Sequence, residues 1–175
     1  MSNQPISRER VHELAEACSA DPEGFQITAT RLLKEQRRIS SFIEENGKEL
    51  GFVSGQVAMY MLSVSMRVFE GVGGRMKKVN GEDLAAAQRK IRGALPALAP
   101  FDADFGARAK NWMDRAQPHL LDEVLWALYE RPEQADLEAP LDHKQSAMIY
   151  LVLWAAIEAL DAKWIAPAGW NDDAG

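Results

Sequence analysis

Two stretches of this chain are almost free of charge, and they constrain the fold more than any other feature. Between Leu50 and Phe69 the single charged residue is Arg67, and between Ala147 and Leu160 it is Glu158. Apolar residues recur along both at spacings of three and four, the helical period. A helix that is apolar nearly all round must be covered by other elements, so each belongs at the centre of a bundle. The chain of 175 residues is long enough to build one such core. It therefore reads as all-α, a single domain over residues 1–175. Six or seven helices are expected, with the central ones at about 50–69 and 143–165. The ends, residues 1–6 and 171–175, are expected to be flexible.

At about 100° per residue the first of these helices has three faces. Leu50, Val53, Val57, Met61, Val64 and Val68 share one. Gly51, Ser54, Gly55, Ala58 and Ser65 form a second face of small residues, and Gln56, Tyr60, Ser63 and Arg67 form a narrow polar stripe. Gly47, Gly51 and Gly55 recur every four residues. An interior helical glycine costs roughly 0.5–1 kcal/mol against alanine. Close approach of another backbone is the compensation expected at all three. The same spacing packs helices in membranes. Here Gln56, Tyr60, three serines and Arg67 dilute the segment, and no membrane association is expected.

On the last helix His143, Tyr150, Trp154 and Asp161 share a stripe, with Glu158 beside it. A buried carboxylate needs a partner, because an isolated charge in an apolar setting is very costly. Arg67 has the same need on its own helix. One solution serves both: an Arg67–Glu158 pair, or Asp161 in the place of Glu158, with Tyr60 or Tyr150 completing the hydrogen bonds. The same residues also support a functional reading. With Gln56, Tyr60, Tyr150 and Trp154 they would line a pocket between the two central helices, in which Arg67 holds an anionic group.

Local signals place the other elements. Ser7 caps a first helix. Asp21-Pro22-Glu23 starts a second, which Asn46-Gly47 is expected to end. Gly71-Val72-Gly73-Gly74 breaks the central helix. A short helix from Glu82 to about Gly93 follows, then a turn region around Pro96 and Pro100. Asp102 or Asp104 starts a helix reaching Ala116, and Pro118 starts another. Residues 131–141 read as an acidic loop, and Asp142 caps the last helix, expected to reach Ile165.

The net charge of −6 is unevenly divided. Residues 1–92 carry +2, whereas residues 93–175 carry −8 and all five tryptophans. Such asymmetry marks either a face for a partner or an attraction between the two parts within one fold. An acidic chain without a reading motif is not expected to bind nucleic acid. The lone Cys18 cannot form an internal disulfide, and the N-terminus lacks an apolar signal core, so a cytoplasmic location is expected. No HxxxH, HExxH or GxSxG spacing occurs, and Gly71–Arg75 lacks the spacing of a phosphate loop. Neither a metal nor a cofactor is expected. The leading reading is a non-catalytic interaction protein that binds a protein partner or itself. The alternative is a protein that binds a small anionic molecule between its central helices. A third reading is an enzyme using Arg67, Glu158, Asp161 and Tyr60, with no reaction to assign.

Overall fold

The structure, a computed structural model, describes residues 2–130 and 141–172. Eight helices occur among them: α1 (Arg8–Ala20), α2 (Pro22–Glu35), α3 (Arg37–Leu50), α4 (Phe52–Val72), α5 (Gly81–Leu98), α6 (Phe105–Asn111), α7 (Pro118–Tyr129) and α8 (His143–Lys163). Two-residue strands β1 (Arg75–Met76) and β2 (Trp164–Ile165) pair antiparallel. The fold is an all-α bundle.

The two uncharged segments are α4 and α8, and they form its spine. α4 packs on α1, α2, α3 and α8; α8 packs on α3, α4, α5, α6 and α7. Tyr150, Leu153, Trp154 and Leu160 of α8 are completely buried. Full burial of such a side chain is worth about 1.5–3 kcal/mol, so α8 anchors the core. A capping box starts it: Asp142 accepts from Gln145 N–H at 2.7 Å, and Gln145 Oε1 accepts from Asp142 N–H at 3.0 Å. Both helices are long and apolar enough to cross a bilayer by length and composition. The most apolar stretch of α8 is 67% buried inside the fold and that of α4 44%.

The faces of α4 are used differently from the expectation. Of the small face Ser54, Ala58 and Ser65 are buried, Gly55 is half-buried and Gly51 is exposed; of the apolar face Leu50 and Val68 are buried, Val57, Met61 and Val64 are half-buried and Val53 is exposed. Small side chains let neighbouring backbones come close, so Ser54, Ala58 and Ser65 join Leu62, Met66, Val68 and Phe69 on the buried side.

Several boundaries also differ. The helix expected from Pro22 to Asn46-Gly47 is two helices, divided at Gln36. The Gln36 amide is buried and donates to Lys77 C=O at 2.9 Å, while its oxygen accepts from Val79 N–H at 3.0 Å. Serving two distant backbone groups takes this residue out of helical geometry. Asn46-Gly47 does not end α3; Gly51 does, with φ of 97°. Only glycine adopts that left-handed backbone without strain. α5 runs past Gly93 and Pro96 to Leu98, because buried Ala94 and Leu98 hold its last turn. α6 ends at Asn111, short of Ala116, and α8 ends at Lys163, where the chain enters β2.

Residues 2–6, expected to be flexible, are tied to the end of α8. The Asn3 amide donates to Asp161 C=O and Trp164 C=O, both at 3.0 Å. Asn171 accepts from Gln4 N–H at 2.8 Å, and the Trp170 indole donates to Gln4 C=O at 2.9 Å. The acidic loop expected at 131–141 falls, apart from Leu141, outside the described residues, as do residues 173–175.

Candidate functional site

Arg67 and Glu158 do not meet. Arg67 is partly exposed and lies 3.6 Å from Glu70, one turn along α4. Glu158 is 8% exposed and takes a different pair of donors. Its Oε1 accepts from Lys90 Nζ of α5 at 2.5 Å, and its Oε2 from Ala116 N–H at 2.7 Å. Periodicity predicts that Glu158 is buried, and chain topology decides that α5, not α4, supplies the cation. Burial opposes the charge on Lys90, but Glu158 and Asp114 together hold its pKa above the ordinary lysine value. With Arg8–Glu123 and Lys163–Asp83, the Lys90 pairs join the basic first part of the chain to the acidic second part.

Asp161 makes no ion pair among the described residues, although the Lys90 charge acts on it from a distance. Its carboxylate accepts from the Gln117 amide at 2.9 Å, from Asn3 N–H at 3.2 Å and from the Asn3 amide at 3.3 Å. Burial raises its pKa above the usual carboxylate value, and these hydrogen bonds oppose the rise. The folded chain therefore holds this proton to higher pH than the unfolded chain. The stability contributed by this group is complete below the unfolded pKa and is lost as pH rises through the folded one. In urea unfolding between about pH 4 and 7, wild type is expected to lose stability relative to Asp161→Asn as pH rises. A pH-independent difference between the two would contradict this.

Tyr150 and Trp154 lie in the core instead of lining a pocket. Their rings are 6.0 Å apart, and neither the Tyr150 hydroxyl nor the Trp154 indole N–H has a hydrogen-bond partner among the described residues. Burial pushes the Tyr150 phenol up to about 12, with the nearby Arg115 guanidinium opposing it. Gly47 and Gly55 face each other across the α3–α4 hairpin. A Cβ built on Gly47 would stand 3.1 Å from Gly55 Cα. Gly51 makes no such approach; nothing lies within 4 Å of a Cβ there, and its role is the turn.

Two concavities remain as candidate sites. The polar stripe of α4 faces α1 and α2 across a groove of about 600 Å³. Gln56, Met59, Tyr60 and Ser63 form one wall; Cys18, Ser19, Pro22, Phe25, Gln26 and Ala29 form the other. The Tyr60 ring stands edge-on to Phe25 at 5.6 Å. No residue of this lining is charged. Phe52, 79% exposed, continues the same stripe one turn before Gln56, with Val53, 44% exposed, next to it; Tyr60, also 44% exposed, lies about two turns further along α4.

The second concavity, of about 400 Å³, lies where α2, α4 and α8 end near β1. Leu32, Met66, Phe69, Leu160 and Trp164 make it apolar, and Glu35, Glu70, Arg75 and Lys78 bring both charges to it. Both central helices contribute to this cleft, through Met66, Phe69 and Glu70 of α4 and Leu160 of α8. Neither Arg67 nor Glu158 does. Of the expected site residues, Gln56 and Tyr60 share the groove, Glu158 and Asp161 share a separate concavity of about 340 Å³ with Lys90 and Ala116, and Arg67 and the Tyr150–Trp154 pair lie apart from both. Lys90, Gln117 and Asn3 carry no local signal of their roles, because each acts only through a partner distant in sequence.

No family model matches the sequence, and no curated protein or solved structure is significantly similar to it.

Proposed function

We propose that this chain is a non-catalytic interaction protein that pairs with a second copy of itself through the groove between α2 and α4. The observation that carries the reading is a wholly uncharged groove with a large exposed aromatic, Phe52, at one end. Exposed apolar patches rimmed by polar residues mark interaction surfaces, and the cores of homodimer interfaces are depleted in charge. Two-fold pairing sets each patch against its own copy. A charged patch would then repel itself, whereas this one does not. Phe52 of one protomer is suited to the groove beside Tyr60 and Phe25 of its partner. The single, buried Cys18 suits such a protein to a reducing, cytoplasmic setting.

A second reading rests on the cleft at the ends of α2, α4 and α8, whose apolar floor and mixed charged rim suit a small amphipathic molecule. Native mass spectrometry of protein purified from cells tests both. Wild type is expected to give a dimer at micromolar concentration. Phe52→Glu, a change at an exposed position, is expected to weaken it roughly tenfold or more by opposing like charges. A strict monomer, or a dimer indifferent to both Phe52→Glu and Tyr60→Glu, would overturn the first reading. A small mass increment that survives in the Phe52→Glu monomer would support the second.

A further inference from the structure

We propose that the chain binds one divalent transition cation of the zinc type at His12, Glu16 and Glu123. His12 and Glu16 lie one turn apart on α1, so they share a face. α7 brings Glu123 against that face. One ligand atom from each of the three lies within 4.8 Å of the others. His12 Nδ1 stands 3.1 Å from Glu123 Oε1 and 3.3 Å from Oε2. Two donors bonded to one zinc ion at about 2.0–2.2 Å come to about 3–3.6 Å from each other at tetrahedral or octahedral angles.

The surroundings orient two of these donors, Glu123 and His12. The Glu123 side chain is 9% exposed; Arg8 donates to its Oε2, and His12 Nδ1 is within hydrogen-bond distance of both its oxygens, a contact that a bound ion would replace. A hydrogen bond such as that from Arg8 is how proteins orient a ligating carboxylate. The His12 ring stands edge-on to Trp126 at 5.6 Å, which fixes its plane. Arg8 balances the charge of Glu123 alone. Glu16 makes no hydrogen bond or ion pair among the described residues, and its carboxylate lies within 4.8 Å of the other two ligand atoms. A cation between them gives Glu16 its partner. His12 and Glu16 are solvent-exposed, so the ion has an open approach and water completes its shell. One imidazole with two carboxylates favours a borderline ion such as zinc over magnesium or calcium, which take oxygen ligands.

The sequence signal for this site is the His12–Glu16 spacing within His12-Glu13-Leu14-Ala15-Glu16. An ExxH spacing is also present at Glu9–His12, but Glu9 is not part of the cluster. The third ligand lies more than a hundred residues away, and only the packing of α1 on α7 brings it in.

Titration of the full chain with Zn²⁺ in a calorimeter, and with Co²⁺ followed by its visible absorption, tests the site. One equivalent is expected to bind, with a cobalt spectrum distinct from the aqua ion, in the presence of excess Mg²⁺. His12→Ala and Glu16→Gln are at exposed positions and are expected to keep the fold, verified by circular dichroism. Each is expected to weaken binding roughly tenfold or more, while His119→Ala and His143→Ala leave it unchanged. No saturable binding by wild type, or equal affinity in His12→Ala and Glu16→Gln, would overturn the proposal.

Discussion

Glu158→Ala is expected to lower the unfolding free energy by about 2–4 kcal/mol, while Arg67→Met changes it by no more than about 0.5 kcal/mol. The two residues are the lone charges of the two central helices, but their surroundings differ. The Glu158 side chain is only 8% exposed and satisfies both Lys90 Nζ and the N–H of Ala116, itself buried. Alanine removes both acceptors at once. An unpaired buried donor costs about 1–3 kcal/mol. Losing one partner of a fully buried ion pair costs roughly 3–5 kcal/mol, but Lys90 keeps Asp114 at 3.2 Å and some solvent, which lowers that figure. Glu158→Gln separates the two effects, because its amide oxygen still accepts from Ala116 N–H. Its loss is expected to be about half that of alanine or less. Arg67 is half-exposed beside Glu70, where an ion pair contributes little. Urea unfolding of the three variants decides the matter. Equal stability of Glu158→Ala and wild type would remove Glu158 from the account of the core.

Gly47→Leu is expected to cost about 1–3 kcal/mol, and Gly47→Ala close to nothing. A Cβ on Gly47 stands 3.1 Å from Gly55 Cα, so alanine fits only if the helices give by a few tenths of an ångström. Against that strain stands the gain of about 1 kcal/mol from replacing glycine inside a helix. Leucine brings three more carbon atoms to the same gap, and the α3–α4 hairpin must open around them. Gly55→Leu attacks the same contact from the other side, where Gly47 Cα and its carbonyl both lie 3.4 Å from a Cβ. The double variant is therefore expected to cost less than the sum of the two. Gly51→Ala is a contrasting case. Its Cβ meets nothing, and its cost of roughly 1–2 kcal/mol comes from forcing an L-residue into a left-handed backbone. Thermal melts of the set give an order of leucine, then Gly51→Ala, then Gly47→Ala. A melt for Gly47→Leu equal to wild type would show that the helices are not in close contact there.

Local signals are sufficient where a single residue acts on its own neighbours. Ser7, Asp21 and Asp142 cap α1, α2 and α8, each through its own side-chain oxygen. Pro118 opens α7 as expected. Sequence and structure part where a distant group overrides local preference. Gln36 lies inside an apolar stripe of good helical period, yet segment 77–79 claims its side chain and divides the helix. The tail at 2–6 has no apolar pattern, yet Asp161, Gln117 and Trp164 tie it down. The groove was legible in part, since Gln56 and Tyr60 stood out as a polar stripe; the facing wall of α2 did not. The His12–Glu16–Glu123 cluster is spread over two helices and escapes any motif with fixed spacing.

Periodicity and the absence of charge, properties of contiguous residues, determined the all-α class and the burial of the helices around Arg67 and Glu158. Partner choice is a property of how helices are arranged in space. Several arrangements satisfy the same hydrophobic pattern, because apolar burial is non-directional, whereas an ion pair or a ligand set needs two groups at one distance and angle. Only the tertiary structure therefore gave Lys90 to Glu158, left Asp161 to amides, and set Glu123 beside His12 and Glu16.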